Sequence, residues 1–173
     1  MSWESRKFSE LYLIPSRNGL TRPSAVRGSG FMMVGMGELF ANTRIGSNIP
    51  MERVQLNDRE LEQYTLRPDD LLFARQSLVL EGAGKCSIVT EVTEPTAFES
   101  HLIRIRLDKS ISLPSFYYYL FSSALSGMSS IVQQCAQAGI RGSDLAELPV
   151  MCPPLYTQHR IASILSAYDD LIE

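Results

Sequence analysis

Histidine, cysteine and tryptophan are scarce in this 173-residue chain, with two, three and one respectively. His101 and His159 are too few and too far apart to build a metal cluster. Cys86, Cys135 and Cys152 are odd in number and scattered, which fits reduced, mostly buried thiols of a cytoplasmic protein and not a disulfide framework. No apolar run approaches the roughly 20 residues that span a bilayer. Met1 to Arg6 lacks the apolar region of a signal peptide. Catalytic fingerprints are missing too. Gly82-Ala83-Gly84-Lys85 fails as a phosphate loop, because Val79 holds the first glycine position and Cys86 the hydroxyl position. Gly28-Ser29-Gly30 fails as a dinucleotide fingerprint at Met33. No serine sits in a Gly-x-Ser-x-Gly elbow that His101 would serve. Neither a catalytic residue nor a metal ligand is expected.

Positive charge is also in short supply. The net charge of −3 argues against a generally basic nucleic-acid binder, but its distribution is uneven. Leu11 to Gly37 holds Arg17, Arg22 and Arg27 and no acid, whereas Asp144 to Glu173 holds five acids and one arginine. The basic stretch fits either a solvated loop or a local phosphate footprint.

What is present is a mixed α+β pattern. Residues 15–30 are dense in turn formers and read as a long surface loop. Phe31 to Val34, Leu71 to Ala74, Cys86 to Val92 and Leu102 to Leu107 read as strands. In the last of these, Ile103, Ile105 and Leu107 form the inward set, and Arg104 and Arg106 are expected to pair with acids on the sheet surface. Asp58 to Tyr64 reads as a short exposed helix. Pro114 opens another with Ser112 as its candidate cap, and two helices over 116–125 and 128–138 follow. The cluster Phe116, Tyr117, Tyr118, Tyr119 and Phe121 suits a core better than a base-stacking platform. Leu148 to Met151 is a strand ended by Pro153 and Pro154. From Leu155 a helix carries Ile161, Leu165, Tyr168 and Ile172 at spacings of four, three and four, the seam of a helix packed on another helix. The chain stops with this stripe still running.

In sum, the expected fold is α/β (mixed α+β): a twisted, partly antiparallel sheet with short helices over 1–152, then a C-terminal helix over 153–173. Cys152-Pro153-Pro154-Leu155 superficially matches the amino-methyltransferase tetrapeptide, yet lacks its polar acceptor and its stacking ring. Leu148 to Leu155, with Gln158, Ile161 to Ser166, Asp169 and Ile172-Glu173, instead resembles the junction in specificity (S) subunits of type I restriction–modification enzymes. Arg67-Pro68-Asp69-Asp70-Leu71-Leu72-Phe73-Ala74-Arg75 is similar to that family's strand and loop. Gly82 and Gly84, His101 to Ile105, Pro114 with Tyr119-Leu120, and Gly139 to Leu145 then follow in the family's order. Thr157 departs from it, standing where the family usually has glutamate.

The resemblance implies a non-catalytic specificity subunit or half-subunit, the sequence holding one recognition domain and the start of one helix, as a natural half-sized protein or a part of a longer one would. One target-recognition domain would read half of a bipartite site in double-stranded DNA, and the helix would be the root of a coiled-coil spacer. Modification (methyltransferase) and restriction subunits would be partners, and would carry S-adenosylmethionine, Mg and ATP. A homodimer through the C-terminal helix would imitate a two-domain subunit. Within this frame, the long cations and small polar residues supply the DNA-face candidates: Arg17, Asn18, Arg22, Arg27, Ser29, Arg44, Arg75, Gln76, Ser77, Lys85, Arg141 and Ser143. The alternative is an oligomerising scaffold that binds a partner through the helix without reading DNA.

Overall fold

Strands predominate, with four short α-helices among them and one longer helix at the end of the described residues. In order they are β1 (Glu4–Lys7), β2 (Tyr12–Asn18), β3 (Arg27–Val34), α1 (Met36–Ala41), β4 (Arg44–Ile45), β5 (Glu52–Val54) and α2 (Asp58–Tyr64). Then come β6 (Leu71–Ala74), β7 (Gln76–Ser77), β8 (Cys86–Val89), β9 (Thr96–Phe98), β10 (Leu102–Leu107) and α3 (Pro114–Phe121). The chain ends with β11 (Gln133–Gln134), β12 (Ala138–Gly139), α4 (Gly142–Glu147), β13 (Pro149–Cys152) and α5 (Leu155–Ile172). This computed structural model describes residues 3–134 and 137–172, apart from the side chains of Ser24 and Ile172. Cys135 lies outside the described residues.

A five-stranded sheet ordered β2-β10-β6-β8-β4 forms the centre, antiparallel except for the β4–β8 pair. One face carries the larger core, in which Phe8, Phe73, Ile103, Ile105, Tyr117 and Phe121 pack beneath α3. The other face packs Leu72, Ala74 and Leu102 against Val34, Leu39 and Phe98. Both faces are therefore covered, and β10 is buried along nearly its whole length instead of half-exposed. Three smaller sheets flank the centre: β5-β3-β9, β11-β12-β7 and the β1–β13 pair.

The stretch 15–30 is less of a loop than its composition suggests. β2 runs through Pro15, which its position at the sheet edge permits, since an edge strand can do without one amide donor. β3 begins already at Arg27, where Gly28 and Gly30 adopt positive φ of 94° and 98° and bulge the ladder, so that Arg27 and Phe31 both face Val54. Residues 128–138 also differ from expectation. Among the described residues no second long helix forms there: Gly127 turns left-handed at φ 69°, a 3₁₀ turn follows, and Gln133–Gln134 and Ala138–Gly139 are the strands β11 and β12. The aromatic cluster is core, as its composition suggests: Phe116, Tyr117, Tyr118 and Phe121 are all buried. Ser112 does not cap α3; Leu113 stands at that position and the Ser112 hydroxyl donates to Asp108 O at 2.7 Å.

Candidate nucleic-acid interface

Asp70 begins the construction of the site. It is fully buried at the head of β6, where the Arg67 amide donates to its carboxylate at 2.8 Å. The Arg106 guanidinium grips it with two bonds of 2.7 Å. This fork pins the Pro68-Asp69 turn, so the wholly buried β6 runs straight across the sheet and delivers Arg75 at its far end. There the Arg75 amide donates to His101 O at 2.7 Å, and its carbonyl accepts from Ile140 at 2.9 Å. The Arg75 backbone is thus fixed on both sides while its side chain is left for the surface.

Beside Arg75 the small sheet β7–β12–β11 sets Gln76, Gly139 and Gln133 at one level. Directly opposed residues of an antiparallel sheet project to the same side. Gly139 in the middle strand therefore leaves a gap between two glutamines. A Cβ there would sit 3.0 Å from Arg75 O and 3.7 Å from Gln76 Cγ. The result is a cleft of about 350 Å³ whose polar lining is Asn18, Arg75, Gln76, Gln133, Gln137 and Arg141. Neither Arg75 nor Arg141 has a carboxylate within ion-pair distance among the described residues. One acid stands at the rim: Asp144 accepts from Gln133 at 3.2 Å and from Ser143 at 3.3 Å. An adjoining apolar ledge carries Leu78, Val79 and Phe40, and shares Gln76 and Gln137 with the cleft.

The remaining candidates lie elsewhere or are already occupied. Arg22 pairs with Glu60, and Arg27 pairs with Glu52 while donating twice to Arg22 O. The Asn57 backbone amide, helped by Arg22, holds the Glu60 carboxyl below its usual range. Ser29 accepts from Gln55, and Arg17 donates to Gln63 and stacks over Tyr64 at 5.2 Å. Ser77 is buried and accepts from the Val79 amide. Lys85 donates to Phe40 O at 2.6 Å and lies over that ring. Arg44 is far from the cleft, bound to Tyr119 and to Asp169 of α5.

The expectation for β10 holds for one arginine and not the other. Arg106 has its acid, but Arg104 is 3% exposed, and among the described residues it makes no ion pair and its Nε has no partner. Burial pushes the Arg104 guanidinium down to about 10; the charge of Asp70 works against that shift, and repulsion from Arg106, Arg17 and Arg67 adds to it.

α5 leaves the domain from a buried polar anchor. Gln158, fully buried, accepts from the Leu113 amide at 2.7 Å and donates to Ile111 O at 3.1 Å and Pro153 O at 2.8 Å. This is the physical content of the proline-proline-leucine junction with its downstream glutamine: one side chain ties helix, junction and the approach to α3 together. Ala162 is buried on the same face. The seam of the apolar stripe is centred about 70° round the helix from that face, given 3.6 residues per turn. Ile161 packs partly on the core, whereas Leu165, at 38%, Ile164, at 54%, Tyr168, at 62%, and Leu171, at 83%, are open. The side chain of Ile172 lies outside the described residues. No described helix is long and apolar enough to cross a membrane, and no group of metal-ligating side chains was found among the described residues.

A family model described as "Type I restriction modification DNA specificity domain" matches residues 2–173. The chain belongs to that family. The specificity subunit of the type I restriction enzyme EcoKI from Escherichia coli (strain K12) is 30% identical over 171 residues, covering 95% of this chain and 36% of the relative. The StySPI specificity subunit from Salmonella potsdam is 25% identical across 100% of this chain and 38% of its own length. The chain thus spans little more than a third of the curated relatives it matches. The HsdS subunit from Thermoanaerobacter tengcongensis superposes with a TM-score of 0.69 at 16% identity, over 99% of this chain and 38% of that one. The S subunit from M. genitalium gives 0.64 at 15% identity, over 98% and 40%. These neighbours support the mixed α/β fold with its C-terminal helix.

Within the family's frame, the sequence alone missed Gln133 and Gln137. Both fall in a stretch whose periodicity reads as helix; strand register brings Gln133 beside Arg75, and Gln137 joins them in the lining of the cleft. The glycine-flanked loop Gly139 to Gly142 was the one available signal that the stretch leaves the helical pattern.

Proposed function

We propose that this chain is a non-catalytic target-recognition module that reads one half of a bipartite double-stranded DNA site through the Arg75–Arg141 cleft. The carrying observation is the convergence of two arginines without acid partners among the described residues, three glutamines and one asparagine around a glycine-floored gap. Arginine binds guanine O6 and N7 bidentately, and glutamine or asparagine does the same for adenine, each pair worth about 1–3 kcal/mol of discrimination. The fixed backbone of Arg75 makes that geometry repeatable. In this reading α5 is the root of the spacer helix, and its open stripe packs on another helix, in a second copy or in further chain. Modification and restriction subunits supply S-adenosylmethionine, Mg and ATP chemistry.

The test is selection from a random-site duplex library by the chain assembled with its modification subunits. Enrichment of a short defined sequence is expected, with affinity falling steeply as salt rises, because phosphate contacts release counterions. Equal binding to every duplex beside tight helix-mediated association would instead support a scaffold role, which the open stripe of α5 favours.

A further inference from the structure

Arg44, Tyr119 and Asp169 form a closed triangle that joins β4, α3 and α5. The Arg44 guanidinium donates to the Tyr119 hydroxyl at 3.2 Å and to Asp169 Oδ2 at 3.1 Å, and the Tyr119 hydroxyl donates to the same carboxylate oxygen at 2.8 Å. Between this triangle and the Gln158 anchor, α5 does not lie flat on the domain. A cleft of about 570 Å³ separates them, lined by Ser163, Ser166 and Ala167 of the helix and by Ile88, Thr90 and Tyr118 of the domain. The helix is therefore held by Gln158 with the packing of Ile161 and Ala162 at its start, and by the triangle at its far end, with a gap beside the turns between them.

We infer that Arg44, through Tyr119 and Asp169, is a positioning residue that fixes the angle of α5 and thereby the spacing of the two half-sites the protein accepts. The inference rests on reading α5 as the spacer. Eleven residues at 1.5 Å per residue put Asp169 about 16 Å beyond Gln158. Over that arm a pivot of about 12° displaces the helix by about 3.4 Å, one base-pair step along a strand of duplex DNA. A rod held only through Gln158 and the adjoining Ile161 and Ala162 can make that pivot. A rod attached at both ends of the cleft cannot, so the triangle converts a helix into a ruler. This role also explains why Arg44 has no part in the cleft that holds Arg75 and Arg141.

The test uses the complete specificity assembly with its modification subunits, on duplexes that carry the selected bipartite site with the gap varied one base pair at a time. Wild type is expected to bind one gap best. Arg44→Gln and Tyr119→Phe should each raise binding one base pair from the optimum about 3- to 5-fold relative to the optimum, the size of a partly exposed ion pair. Selected half-site bases should stay the same. Arg44→Glu combined with Asp169→Arg should restore the sharp profile. An unchanged gap profile in both single variants overturns the inference. So does an altered half-site preference in Arg44→Gln, which would make Arg44 a reader of DNA. A wild-type profile indifferent to the gap would instead remove the spacer reading itself, and the inference with it.

Discussion

Arg22 and Arg75 both stand in turn-rich, glycine-bearing stretches, and the fold treats them in opposite ways. Arg22 and its neighbour Arg27 come from a segment without a single acid, yet α2 and β5 bring Glu60 and Glu52 to them across the fold. Arg75 sits in a less basic stretch, and strand pairing surrounds it with amides and a second arginine, Arg141. Local charge density is therefore a poor guide to which cations remain for a ligand. What decides is which acids the tertiary structure delivers. The two arginines of β10 repeat the contrast, for Arg106 forms an ion pair with Asp70 and Arg104 has none among the described residues.

The largest expected effect comes from breaking a pairing. Asp70→Ala leaves Arg106 without its partner and should cost about 3–5 kcal/mol of stability in denaturant unfolding, the usual penalty for orphaning a buried charge. Next is the cleft. Arg75→Ala or Arg141→Ala should each weaken binding to a selected duplex about 10- to 100-fold, or about 1–3 kcal/mol, with the unfolding midpoint unmoved. Removing an arginine that lacks a partner should have the opposite sign in stability: Arg104→Met is expected to stabilise by about 1 kcal/mol, since an apolar isostere needs no desolvation of charge.

The smallest effects belong to the paired surface arginines. Arg22→Ala should cost less than about 1 kcal/mol in stability and change DNA affinity less than about 2-fold. Glu60 supplies a pH signature for the same pair. Its folded carboxyl titrates below the ordinary value of about 4.3, first through the Asn57 amide and then through Arg22. The stability it contributes is full above the unfolded value and is lost as pH falls through the folded one. Acid unfolding curves of Arg22→Ala should show a smaller loss in that window, with the Asn57 part retained.

Much of the scaffold was legible in sequence because it rests on local signals. Asp58 to Tyr64 is helical where Asn57 caps it and Glu60 closes the box. Leu71 to Ala74 is a short apolar run and becomes a buried strand. The proline-proline junction announced the start of α5. The site was only partly legible. Arg75, Gln76, Asn18 and Arg141 stood out as donors, but their convergence depends on β7 pairing with β12 some sixty residues away, and no local pattern encodes that. The partners of Arg22 and Arg27, 38 and 25 residues downstream, were hidden for the same reason. Arg44 looked like any exposed cation, because its acid lies on the last helix.

The most direct measurement titrates one selected duplex with two double variants of the assembled protein, Arg75→Ala with Arg141→Ala and Arg22→Ala with Arg27→Ala. If the cleft is the reading surface, the first pair loses at least about 100-fold in affinity, two arginine–base contacts' worth, and its preference among duplexes, while the second stays within about 3-fold of wild type. An equal loss in both pairs, or a larger loss in the second, would contradict the assignment of DNA reading to the arginines that have no acid partner among the described residues.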